Sequence, residues 1–231
     1  MMIGVRSTLF LVWFLVVTTI LSLIFLPVLI LPRRATVWLA RLWARLTFWG
    51  LKIFAGIGFE IRGTPPQGPV LVASKHMSMW DTLALYLALD EPAIVLKREL
   101  LRIPFYGWFL AKAAAIAIDR SAGPRALRQM AEAARKVLAQ GRPILIFPEG
   151  TRKKPGAAPD YKPGVAGLYG LLGVACVPVA LNSGVYWTGF LKRPGTIVLE
   201  FLEPIPPGLK REAFMRQLQA RIESATTALL P

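Results

Sequence analysis

Two residue types that build many active sites are almost missing. The 231-residue chain holds one cysteine and one histidine. A lone Cys176 excludes a disulfide within the chain, and with a single histidine no zinc or iron ligand spacing exists. Cys176 lies in the apolar run Leu172 to Val179 and reads as a small buried hydrophobe. So few thiols suit a reducing compartment. Acidic residues are also scarce, 13 Asp and Glu against 28 Lys and Arg, for a formal net charge of +15. No G-x-S-x-G sequence occurs, so the nucleophile elbow of a serine hydrolase is absent. Neither internal repeats nor low-complexity segments interrupt the chain.

What is present is greasy as well as basic, with 55% hydrophobic residues. That combination points to a surface that is both apolar and anionic, and a phospholipid bilayer fits. Nucleic acid would explain the charge but not the apolar N-terminus, and no nucleic-acid-binding motif occurs.

Residues 3 to 31 form an apolar run broken by Gly4, Arg6, Pro27 and scattered Ser and Thr. The run meets the roughly 20-residue requirement for crossing a bilayer. It is too long for a signal peptide and has no small-residue cleavage site before the basic segment. Pro27 and Pro32 are expected to bend or end the helix. Arg33 and Arg34 then place that end, and the domain after it, on the cytoplasmic side. In residues 35 to 56, Trp38, Leu39, Leu42, Trp43, Leu46 and Trp49 recur at helical spacing, interrupted by Arg41, Arg45 and Lys52. This predicts an amphipathic helix at the headgroup level, favoured over a core helix of the folded domain. A true span and a hairpin within one leaflet are equally compatible with the pattern. The organisation is therefore a membrane-anchoring helical element over 1–58 and a folded domain over 59–231.

After the turn-rich GTPPQG at 63 to 68, short β-rich runs alternate with helical stretches. Strands are expected at 69–73, 92–96, 114–118, 143–147, 174–181 and 196–202, with a further short strand at 59–62. Helices are expected at 80–89, 104–112, 123–140, 163–172 and 210–229. Such alternation predicts an α/β domain with a mostly parallel sheet flanked by helices. Sites in such sheets gather at the carboxyl ends of the strands.

Two strand ends carry chemistry. The first reads VLVASKHMSMWD over 70–81 and holds His76 with Asp81 five residues on. A neutral imidazole takes a proton near pH 7, and does so well when a carboxylate fixes its tautomer. Asp81 also falls in the first turn of the following helix, where a negative charge is favoured. By itself the pattern is more readily a surface turn and a helix cap. The second reads ILIFPEGTR over 144–152. Gly150 permits a tight turn with exposed amides. Arg152 offers a planar fork for a phosphate. Glu149 stands ready to orient that arginine or to bond a substrate hydroxyl. Further cations, Lys97, Arg98 and Arg120, follow other strands and could converge on one anionic group. Lys153, Lys154, Lys192 and Arg193 read as solvated or membrane-facing charges.

Taken in order, His76-x-x-x-x-Asp81, Lys97-Arg98-Glu99-Leu100, Ile118-Asp119-Arg120, Phe147 to Arg152 and Val177-Pro178-Val179-Ala180 resemble the motif blocks of the glycerolipid acyltransferases. The likeness is strongest to the bacterial 1-acyl-sn-glycerol-3-phosphate acyltransferases of the PlsC type and covers about residues 36 to 205. The resemblance implies the acyltransferase fold with an N-terminal two-helix membrane element. It implies His76 as general base on the free hydroxyl of lysophosphatidic acid and Asp81 as its partner. The hydroxyl would attack the thioester of an acyl-CoA or acyl-carrier protein directly, giving phosphatidic acid. Glu149, Gly150, Thr151 and Arg152 would belong to the acceptor site, with Arg152, Arg120 and Lys97 near the phosphate. Neither a metal nor a cofactor is implied. The setting would be the inner cell membrane, with the catalytic domain on the cytoplasmic side. Where the family often has Asn before the histidine, this chain has Lys75, from which the phosphates of an acyl donor are one possible target. Competing readings are the same chemistry on glycerol 3-phosphate or another lyso-lipid, and a non-catalytic binder of anionic lipid. The latter leaves the pairing of a sole histidine with Asp81 unexplained.

Overall fold

The computed structural model describes residues 2–119 and 123–231. Arg120, expected near the phosphate, lies outside the described residues.

The chain begins with α1 (Met2–Ile24), a 23-residue helix of mean hydropathy 2.3 that turns only a narrow face to the rest of the protein. It is long and apolar enough to cross a membrane. A 3₁₀ turn (Leu26–Ile30) opening at Pro27 and an extended Pro32 reverse the chain into α2 (Arg33–Gly50). Arg6 bonds the carbonyl of Phe54, Trp13 that of Leu46, and Trp43 the hydroxyl of Thr18. These pairings run in opposite senses along the two segments, so the helices are antiparallel. Gly50 makes the close approach possible, because a Cβ there would collide with the Trp13 indole. A single π turn (Leu51–Ala55) closes α2 and leads into β1 (Ile57–Arg62).

The remaining elements are β2 (Leu71–Ser74), α3 (Met79–Ala88), β3 (Ala93–Lys97), a 3₁₀ turn (Arg98–Arg102), α4 (Tyr106–Lys112), β4 (Ile116–Ile118), α5 (Gly123–Leu138), β5 (Ile144–Ile146), α6 (Gly164–Leu172) and β6 (Cys176–Leu181). They are followed by α7 (Ser183–Tyr186), β7 (Trp187–Thr188), β8 (Leu191–Lys192), β9 (Gly195–Phe201) and α8 (Arg211–Ala228). Seven strands form one sheet in the order β1-β9-β6-β2-β5-β3-β4. β6, β2, β5, β3 and β4 are mutually parallel, while β9 runs antiparallel to β6 and carries β1 beside it. The mostly parallel sheet expected from the sequence is therefore present, with a reversed pair at one edge. The β7–β8 hairpin, α7 and the 3₁₀ turn after β3 have no counterpart in the sequence pattern. Each is too short to show a period.

The central strands LVAS, ILI and CVPVAL are buried on both faces, as parallel strands covered by helices must be. Successive residues point to opposite layers. Leu71, Ala73, Ile144, Ile146 and Cys176 pack with α5, α6 and α8 through Met130, Ala134, Leu168, Tyr169, Phe214 and Leu218. Val72, Leu145, Val177 and Val179 pack on the other side with Trp80 and Leu85 of α3. That second layer also contains Phe10, Ala44, Phe48 and Leu51 from the N-terminal helices. The apolar stripe of α2 is thus divided. Its Leu39, Leu42, Trp43 and Leu46 pack against α1 with Val17 and Leu21, whereas Trp38 and Trp49 remain 54% and 51% exposed. Only the second group is available to a headgroup region.

Candidate active site

β2 and β5 are parallel neighbours, Ala73 opposite Ile146. The turns that follow them therefore leave the same edge of the sheet side by side. The two motif turns expected to form one site do meet: the His76 ring stacks on the Phe147 ring with centroids 3.9 Å apart. The amide of Lys153 donates to the carbonyl of His76 at 2.8 Å.

α3 starts where it does because Ser78 caps it and Asp81, three residues on, completes a capping box. Asp81 is both a helix cap and the partner of His76. Its Oδ2 lies 3.0 Å from Nδ1 of His76 and accepts from the amides of Met77 (2.6 Å) and Ser78 (2.9 Å). Its Oδ1 faces the hydroxyl of Ser78 at 3.1 Å and accepts from that of Ser183. Asp81 is fully buried. A carboxylate ringed by donors in this way remains an acceptor, so the neutral imidazole carries its proton on Nδ1. Nε2 is left free to accept one. The arrangement can remove a proton from a hydroxyl placed against Nε2.

Lys75 turns the other way. Only 2% exposed, its Nζ lies 3.0 Å from Oε1 of Glu149 and 2.8 Å from Oε1 of Glu223 on α8. Tyr161 donates to the same Glu223 oxygen at 2.8 Å. Burial and the Glu223 carboxylate push the Tyr161 hydroxyl well above the usual phenol range, so it stays a donor. Lys75 does not reach outward toward a donor's phosphates. The Glu149 carboxylate points inward to Lys75 rather than to Arg152, and among the described residues its Oε2 has no hydrogen-bond partner.

The other candidate positions lie on the solvent side. Gly150 takes φ +65°, which lets the turn reverse directly after Glu149. Thr151 and Arg152 are exposed beyond it. Lys97 is exposed at the end of β3, and Arg98 pairs with Asp119 at 3.4 Å after β4. An apolar cavity of about 160 Å³ opens along α3 just past Asp81, lined by Leu83, Tyr86, Leu39, Trp43 and Phe109.

Lys192 departs from expectation. It is buried on β8, with Nζ 3.0 Å from the carbonyl of Phe190 and 4.6 Å from the Trp187 ring centroid. The hairpin turns its carbonyls inward, and the lysine follows them instead of facing solvent or lipid. Burial pushes its ammonium down to about 8. Cys176 is buried as expected, and burial pushes its thiol up. Among the described residues no cluster of His, Cys, Asp or Glu could hold a metal ion.

Sequence reasoning overlooked Ser78, Ser183, Tyr161 and Glu223. Ser78 was legible, since Ser at a helix start with Asp81 three positions on is a capping-box signature. The others act over long sequence separations and leave no local signal.

A buried carboxylate thus holds an imidazole at the carboxyl ends of parallel strands, and exposed cations follow the neighbouring strands. Residues 59–182 match the family described as Acyltransferase. The chain is 42% identical over 173 residues to a 1-acyl-sn-glycerol-3-phosphate acyltransferase of Pseudomonas aeruginosa, covering 73% of this chain and 67% of that one. It is 32% identical over 206 residues to a lyso-ornithine lipid O-acyltransferase of the same organism, covering 78% of each. It is 33% identical to a 1-acyl-sn-glycerol-3-phosphate acyltransferase alpha of Ovis aries, of which it spans 61%. Its fold superposes on the crystal structure of the 1-acyl-sn-glycerophosphate acyltransferase PlsC from Thermotoga maritima with a TM-score of 0.79. That match covers 97% of this chain and 96% of that one at 20% identity. The chain belongs to the acyltransferase family, with the fold of PlsC and an N-terminal helix suited to membrane association.

Proposed function

We propose that the protein transfers a fatty acyl group from acyl-CoA or acyl-carrier protein to the sn-2 hydroxyl of 1-acyl-glycerol 3-phosphate, giving phosphatidic acid. The observation that carries this reading is the His76–Asp81 pair stacked against the Phe147–Arg152 turn. Nε2 of His76 takes the hydroxyl proton as the oxygen attacks the thioester carbonyl. The tetrahedral intermediate collapses, the C–S bond breaks, and the imidazolium returns the proton to the leaving thiolate. Asp81 keeps the imidazole in the correct tautomer and offsets its transient charge. Arg152 and Lys97, with Arg120, hold the acceptor's phosphate. Gly150 and Thr151 shape the turn against it, and Glu149 supports that turn from beneath through Lys75. The apolar cavity beside α3 receives an acyl chain.

Residues 1–58 anchor the protein and 59–231 carry the chemistry. Arg33 and Arg34 at the end of the apolar run favour the cytoplasmic face of the inner membrane. A second reading, acylation of a different lyso-lipid, is favoured by the sequence similarity to the lyso-ornithine lipid enzyme, which extends over 78% of this chain against 73% for the 1-acyl-sn-glycerol-3-phosphate acyltransferase of the same organism. One acyl-CoA assayed against a panel of acceptors separates the two. Thiol release with 1-acyl-glycerol 3-phosphate above all others is expected. Release with another lyso-lipid and none with this one would transfer the assignment to that acceptor.

A further inference from the structure

Asp81 is held by two kinds of donor. Those on Oδ2 come from His76, Met77 and Ser78, all within its own turn. Any helix cap of this type would supply the two amides. Oδ1 faces the Ser78 hydroxyl within the turn and is also held from outside it, by a serine 102 residues away.

Ser183 is fully buried at the start of α7, just beyond β6. Its hydroxyl donates to Oδ1 of Asp81 and lies 2.9 Å from the hydroxyl of Ser78. Each hydroxyl has one proton. If Ser78 donates to Ser183, the direct donor to Oδ1 is Ser183. Its neighbours fix it in place. The Asn182 side chain accepts from the amide of Val198 at 2.8 Å and donates to the carbonyl of Leu229 at 2.9 Å. This ties the segment to β9 and to the end of α8. Gly184 packs so close to Met77 that an added Cβ would lie 3.0 Å from the Met77 Cβ. The three consecutive residues thus serve separate ends: Asn182 anchors, Ser183 bonds the carboxylate, and Gly184 admits the catalytic turn.

We propose that Ser183 is a positioning residue for acyl transfer, acting through Asp81 on His76. The carboxylate can pivot about its Cβ–Cγ bond, which is a soft torsion. A donor on Oδ1, fixed to the sheet rather than to the turn, stops that pivot and keeps Oδ2 aligned with Nδ1. It also satisfies a buried anion that the turn's amides meet on one oxygen only. The proposal rests on the reading of His76 as the general base.

A double-mutant cycle on the full-length protein in lipid vesicles tests it, with 1-acyl-glycerol 3-phosphate and an acyl-CoA as substrates. Ser183→Ala is expected to lower kcat by about 10- to 100-fold, the scale of losing an orienting partner behind a reacting group. KM for both substrates should stay within about twofold. In an Asp81→Ala background, Ser183→Ala should cost little further rate, because its effect passes through Asp81. A wild-type kcat for Ser183→Ala would overturn the proposal, as would an equal loss in the Asp81→Ala background. Failure of the base reading is distinguishable, since it alone would leave His76→Ala fully active.

Discussion

Lys75 and Glu149 come from turns 74 residues apart in sequence and meet inside the protein, Nζ 3.0 Å from Oε1. Glu223 of α8 closes the cluster from the other side. The pair joins the turn bearing the imidazole to the turn bearing Arg152. The relative placement of the two turns is therefore set from within the fold. Lys75→Met leaves one fully buried and one partly exposed carboxylate without their cation. Removing one partner of a buried pair costs about 3–5 kcal/mol. Chemical denaturation in detergent should show a loss of that size, and a change below about 1 kcal/mol would contradict the burial of the cluster.

The crossing of α1 and α2 depends on Gly50. A side chain there meets the Trp13 indole, whose Nε1 is already bonded to the carbonyl of Leu46. Gly50→Leu should force the pair apart, with a cost of about 1–3 kcal/mol for overpacking. Because Phe10 and Phe48 of these helices pack in one layer with Trp80, the damage should reach the catalytic domain. Both thermal stability and retention on vesicles are expected to fall. A Gly50→Leu protein as stable as wild type would show that the two helices are not closely packed.

Lys192 supplies a pH signature. Burial lowers its ammonium to about 8 from the ordinary 10.5. Between those values the unfolded chain binds more protons than the folded one, so stability rises as pH increases through that window. The cost of burying the charge is fully present below about pH 8. Melting temperature followed from pH 7 to 10.5 should therefore climb less steeply in Lys192→Met than in wild type. Identical slopes would place the lysine in water.

Local features made the fold and half of the site legible. His76 and Asp81 lie five residues apart, and a strand running into a helix start announces itself by a change of period and a cap. Phe147 to Arg152 is marked in the same way. The inward course of Lys75 was not legible, because its carboxylate on α8 is 148 residues distant and a charged side chain is ordinarily solvated. Ser183 was hidden for the same reason. The stripe on α2 shows a limit of another kind. Periodicity identifies an apolar face but does not say whether lipid or protein covers it, and here Leu39, Leu42 and Leu46 meet α1 while Trp38 and Trp49 stay exposed.

In the proposed reaction His76, held by Asp81, deprotonates an acceptor hydroxyl beside bound phosphate. Release of free thiol from acyl-CoA in the presence of 1-acyl-glycerol 3-phosphate tests it most directly, with His76→Ala, Asp81→Asn and wild type compared at equal lipid binding. His76→Ala should abolish release. Asp81→Asn should reduce it by about 10³-fold or more, because a neutral amide neither fixes the tautomer nor offsets the imidazolium. Thiol release by His76→Ala at the wild-type rate would contradict the assignment of the base.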